Sequence, residues 1–74
     1  MSIYPNPAKI HITIELGSYN SKLELRIFDL NGKLRIKENV TTNEEIDITV
    51  LPNGAFIVNI RADNEQVNGI LIKH

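Results

Sequence analysis

The feature that most constrains this chain is alternation. From residue 9 onward, apolar and polar side chains exchange places with a period of two. Ile10, Ile12, Ile14 and Leu16 alternate with Lys9, His11, Thr13 and Glu15. Leu23, Leu25 and Ile27 do so with Glu24 and Arg26, and Leu34 and Ile36 with Lys33, Arg35 and Lys37. Ile46, Ile48 and Val50 continue the pattern, Phe56, Val58 and Ile60 lead into a turn at Asp63-Asn64, and a last strand returns over residues 67–72. A period of two places one apolar and one wet face on a strand, and no stretch carries the 3.6-residue period of an amphipathic helix. Turn chemistry separates the strands at residues 17–21, 29–32, 52–54 and 63–64, and residues 39–45 read as a polar loop around Val40. Six strands result, with Ile3 and Tyr4 a candidate for a short seventh. Strands this short and evenly spaced predict an all-β antiparallel sandwich or barrel.

Two hairpins can be assigned a register, because a slip of one residue turns a whole apolar face to water. At the first, a loop of residues 29–32 pairs Ile27 with Leu34 and Leu25 with Ile36. It is preferred to a tighter loop at Asn31-Gly32, which sets Leu25 against Glu38. In the preferred loop Asp29 accepts from turn N–H groups and Gly32 supplies a positive φ. At the last hairpin, a two-residue Asp63-Asn64 loop pairs Ile60 with Val67, Val58 with Gly69 and Phe56 with Leu71. The same register sets Ile57 against Ile70 and Ala55 against Ile72 on the opposite face. A pair of strands with one wet face should not be apolar on both. Either the segment around Tyr4 covers this strip, which is the expectation, or a partner does.

Composition excludes more than it assigns. A chain of 74 residues holds one domain with a thin core, a poor place for a deep, dry active site. A net charge of −1 with scattered Lys and Arg argues against a nucleic-acid surface. No apolar run is long enough to insert in a membrane. The opening, Met1-Ser2-Ile3-Tyr4-Pro5, lacks the basic and apolar regions of a secretory signal peptide. There is no cysteine, so neither disulfides nor thiolate sites brace the fold. His11 sits on a polar face and His74 far along the chain, without the converging ligands a metal needs, so no metal and no cofactor is expected. The acidic cluster Glu44, Glu45 and Asp47 reads as a solvated loop edge rather than a calcium site. Ser2, Ser18 and Ser21 have no histidine partner, and the glycines are turn or strand positions rather than a phosphate loop. Tyr4, Tyr19, Phe28 and Phe56 are too dispersed for a stacking platform. Phe56 reads as core and Tyr4 as a packing anchor.

Four blocks remain, in a fixed order. Tyr4-Pro5-Asn6-Pro7-Ala8 precedes the first long strand. Leu25-Arg26-Ile27-Phe28-Asp29-Leu30-Asn31-Gly32-Lys33 follows. Ile46-Asp47-Ile48 then leads to Leu51-Pro52-Asn53-Gly54-Ala55-Phe56-Ile57-Val58, and Ile70-Leu71-Ile72-Lys73 comes last. In order and spacing they resemble the C-terminal sorting domain of proteins exported by the type IX secretion system, type A form. The resemblance runs from Tyr4 to Lys73. It implies an immunoglobulin-like β-sandwich of six to seven short strands, carried behind the cargo domains of a larger secreted protein. It also implies recognition in the periplasm, passage through the outer-membrane translocon and removal by a sortase, with cargo released or held at the cell surface. Two places depart from the family's usual pattern. Ala55-Phe56 stands for an aliphatic-Tyr pair, and Asn68-Gly69 for a basic pair before the last strand.

The motif residues also have physical roles of their own. Pro5 and Pro7 are expected to hold an extended lead-in over residues 1–7. Asp29 and Gly32 fix a turn, as do Leu51, Pro52 and Gly54. The last strand, apolar on both faces, is the expected recognition surface, through Val67, Gly69, Ile70, Leu71, Ile72 and Lys73. The reading is thus a non-enzymatic sorting module whose partners are the translocon and sortase, with self-association through the edge strand open. Its rivals are an accessory module that binds carbohydrate or protein, and a plain spacer.

Overall fold

A computed structural model describes residues 2–16, 22–62 and 65–74. Seven strands run in order: β1 (Ser2–Tyr4), β2 (His11–Glu15), β3 (Leu23–Asp29), β4 (Leu34–Val40), β5 (Glu45–Asp47), β6 (Gly54–Ala62) and β7 (Glu65–Lys73). They form two antiparallel sheets, β1-β2-β5 and β4-β3-β6-β7, stacked as the expected sandwich. The chain crosses between sheets after β2, β4 and β5, which closes one core between two inner faces.

The period-two pattern fills that core. Ile12 and Ile14 of β2 and Ile46 of β5 meet Leu23, Leu25 and Ile27 of β3. Val58 and Ile60 of β6 and Leu71 of β7 complete the layer, and all are essentially inaccessible. Full burial of each such side chain contributes about 1.5–3 kcal/mol, so the inner faces carry most of the stability. The alternation overreaches at two strand ends. Ile10 lies outside β2 and is 64% exposed, while Val50 lies past β5 and is 75% exposed. At the second, Thr49 donates its backbone N–H and its hydroxyl to Asp47 Oδ1. Leu51 N–H then bonds Ile48 C=O, and the turn puts Leu51 in the core instead of Val50. Val40, read as a loop residue, ends β4 opposite Leu23 and is buried. The true loop is residues 41–44, stitched to β2 by Asn43 N–H on Ile14 C=O and by Leu16 N–H on Thr42 Oγ1.

The first hairpin takes a different register from the preferred one. Ile27 faces Ile36, Leu25 faces Glu38 and Leu23 faces Val40, with a β-bulge before Phe28 pairs with Leu34. The turn chemistry is as expected. Asp29 Oδ1 accepts from Asn31 and Lys33 N–H, both at 2.9 Å, and Gly32 has φ +85°. The same carboxylate also accepts from Arg35 Nε at 3.1 Å. That holds Arg35 as the extra residue of the bulge. The bulge flips the strand between its two apolar residues, so Ile36 enters the core while Leu34 turns outward. The last hairpin keeps the expected register throughout: Ile60 with Val67, Val58 with Gly69, Phe56 with Leu71, Ile57 with Ile70 and Ala55 with Ile72. Its Asp63-Asn64 turn lies outside the described residues, as do residues 17–21.

The lead-in is not an extended arm. β1 pairs with β2 through Ile3 opposite Ile14, and residues 5–7 bend, with cis peptide bonds before Pro5 and Pro7. Ala8 then bridges Lys73 in parallel, across on the other sheet. Tyr4 is 45% exposed and anchors no core. Nor does its segment cover the apolar strip, for Ile57, Ile70 and Ile72 remain 37%, 55% and 38% exposed. The lead-in closes the edge of β7 rather than its face.

Candidate recognition surface

The four sequence blocks converge on one end of the four-stranded sheet. Asp29 pairs with Phe56, Phe56 with Leu71 and Gly54 with Lys73. Leu51 and Phe56 are buried beneath that end, and Pro52 is exposed on the turn between them. Gly54 has φ +147°, which disfavours any residue with a Cβ. Lys73 Nζ donates to Leu51 C=O at 3.0 Å, tying the end of β7 to the turn before β6.

Asn6 supplies the remaining contact. Its Nδ2 donates to Ile70 C=O at 2.9 Å, and its Oδ1 accepts from Ile72 N–H at 3.0 Å. The carboxamide thus pairs with β7 as the peptide of a neighbouring strand would. Ala8 continues the line, its N–H on Ile72 C=O at 2.8 Å and its C=O accepting from His74 N–H at 2.9 Å.

The six residues of β7 expected to be recognised divide by face. Leu71 is fully buried, and Val67, Gly69 and Lys73 are half-buried on the inner side. Ile70 and Ile72 point outward. Their face carries an apolar row that crosses all four strands, Leu34–Phe28–Ile57–Ile70, with Ala55–Ile72 beside it. Sequence reading found the β6–β7 part of this row, but the part on β3 and β4 depends on the bulge that turns Leu34 outward. The next rows are polar. Arg26 binds Glu24 at 2.6 Å, which holds the Glu24 carboxyl below its usual range. Asn59, 6% exposed, donates Nδ2 to Asn68 Oδ1 at 2.7 Å. That pair, with Asn59 buried and Asn68 exposed, escaped sequence reading because both look like ordinary wet-face positions.

His11 Nδ1 lies 3.6 Å from Glu45 on the outside of β2 and β5. Asp47 is held below the usual carboxylate range by the Thr49 N–H and hydroxyl. Asp29 is held low chiefly by the Lys33 N–H, with the Arg35 and Asn31 bonds adding to it. These carboxylates are committed to turns. Among the described residues no group of His, Cys, Asp or Glu side chains could hold a metal ion.

Compared with protein families, residues 2–74 match the model of the secretion system C-terminal sorting domain. The chain belongs to this family. Comparison with curated proteins finds no match. A sorting domain of this kind is a C-terminal signal for type IX secretion. It belongs to a larger cargo protein, interacts with the secretion machinery and directs export toward the cell surface or beyond. The fold gives the sorting signal its physical form, a two-sheet sandwich with a composite patch where the four blocks meet.

Proposed function

We propose that this sorting domain acts purely as an address label. It is the single C-terminal domain of its cargo, read in the periplasm during transit, delivered to the outer-membrane translocon and then cut away by a sortase. The domain contributes no catalytic group to either step. The observation that carries this reading is the outward pair Ile70 and Ile72. They stay exposed at the end of an apolar row although the chain has its own segment lying alongside. A small sandwich has little reason to keep such a row wet unless a partner covers it. A carbohydrate module would present aromatic rings together, whereas Tyr4 and Phe28 lie on different sheets.

The test is export in a bacterium with a type IX system. A fluorescent reporter carries a signal peptide and, at its C-terminus, residues 2–74. A twin carries Ile70→Glu and Ile72→Glu, which alter exposed positions and leave Leu71 in the core. The expected result is surface or extracellular fluorescence for the first and periplasmic retention for the twin. Retention of both, with the domain folded, would end the sorting reading. Export of both would remove Ile70 and Ile72 from the recognised surface.

A further inference from the structure

β7 is an edge strand, and only half of its edge is in use. The bonds from Asn6 and Ala8 go to the even-numbered residues 70, 72 and 74. An antiparallel strand points the N–H and C=O of alternate residues to the same side. Gln66 and Asn68 therefore direct their backbone groups to that same edge, as Ile70 does its N–H. No backbone partner meets them among the described residues.

The two edges of this sheet differ in kind. β4 carries Arg35, Lys37 and Glu38, and its bulge breaks the ladder. Glu38 sits on the inner-face register opposite Leu25, a charge where an added strand would need a hydrocarbon. Such devices keep an edge from pairing. Residues 66–70 of β7 read Gln-Val-Asn-Gly-Ile, with no charge, no proline and an unbroken register against β6. On the outer face, reaching from Arg26 and Phe28 of β3 across β6 to this edge, lies an open groove of about 460 Å³ whose β7 side is formed by Gln66, Asn68 and Ile70.

We propose that the secretion machinery binds this domain by adding an extended segment to residues 66–70 of β7, in line with the segment that already occupies residues 70–74. This rests on the sorting reading and specifies how the label is held. The occupant is a protein strand, since only a peptide backbone matches a repeating N–H and C=O edge. Its side chains follow the rows it extends: an apolar residue beside Ile70, prolonging the Leu34–Phe28–Ile57–Ile70 row, and a small polar one beside Asn68. Residues 71–73 are not the docking strand, because their inner groups hold the core and Ile72 is already bonded on its open side.

Three variants of the reporter fusion test this. Gln66→Pro removes an edge-facing donor where proline is tolerated. Asn68→Lys places on the edge the residue type that protects edges. Asn39→Lys makes the same change on β4. With the parent fusion exported, Gln66→Pro is expected to lower export roughly two- to tenfold, the worth of one backbone bond. Asn68→Lys should lower it further, and Asn39→Lys should export like the parent. Resistance to proteolysis equal to the parent's shows that each fusion is folded; the two β7 changes stress the strand differently, so one folded variant suffices. Parent-like export of a folded β7 variant overturns the proposal and leaves sorting intact. Failure of the parent fusion overturns sorting itself. If the domain sediments as a dimer that Asn68→Lys dissolves, the edge belongs to a second copy and the proposal falls.

Discussion

Asn6→Ala tests whether one side chain acts as a strand. The substitution removes both bonds to β7, the donation to Ile70 C=O and the acceptance from Ile72 N–H, and touches no core residue. A hydrogen bond contributes about 0.5–1.5 kcal/mol net, and at this exposed site the pair together is worth about 1–2 kcal/mol. In a domain of this size each kcal/mol moves the melting temperature by about 4–8 °C, which gives a drop of roughly 4–16 °C. The assay is thermal unfolding by circular dichroism, with amide exchange read at Ile72. The Ile72 amide should lose protection while core amides such as that of Leu25 change only in step with global stability. Asn6→Asp keeps the acceptor and loses the donor, so it should melt between parent and alanine variant. If Asn6→Ala melts with the parent and Ile72 stays protected, the strand-like role of Asn6 is wrong.

Further outcomes follow from other parts of the molecule. Leu71→Ala opens a cavity at a fully buried position and should cost about 2–5 kcal/mol, lowering the melting temperature by roughly 8–40 °C. Gly32→Ala meets no atom within 4 Å, so its cost is backbone alone at φ +85°, about 1 kcal/mol, and Gly32→Asn should cost less in urea titration. Glu24, Asp29 and Asp47 all titrate below their ordinary values of 4.5, 3.8 and 3.8. The folded state therefore binds fewer protons than the unfolded state in that range, and the stability these groups supply is complete above the ordinary values. It is lost as pH falls through the depressed ones. Urea midpoints should be flat from about pH 7 to 5 and drop below about pH 4, and Asp29→Asn should make that drop shallower.

How far the sequence could be read depended on whether the strand ladder ran unbroken. On β6 and β7 it does, and the pairs from Ile60–Val67 to Ala55–Ile72 were legible. On β4 it does not. Leu34 and Ile36 obey the period of two, yet Arg35 is held by Asp29 and bulges, which sends them to opposite faces. Only knowledge of where the Asp29 side chain reaches could have shown this. Val50 likewise obeys the period, but the Thr49–Asp47 bonds end the strand first. The four motif blocks were visible as blocks; their meeting at one end of the sheet was not, because it rests on contacts between residues far apart in sequence. Asn6 was visible as part of a turn-like Pro-Asn-Pro, and nothing local says that its amide bonds another strand.

That bond joins residues 66 positions apart. Beside it, Ala8 is bonded to Ile72 and His74, and Lys73 to Leu51. The patch where the blocks meet therefore has no existence in the unfolded chain, nor in one whose start or finish is misplaced. If the proposed recognition takes in this patch, only a tail that has finished folding presents the complete address.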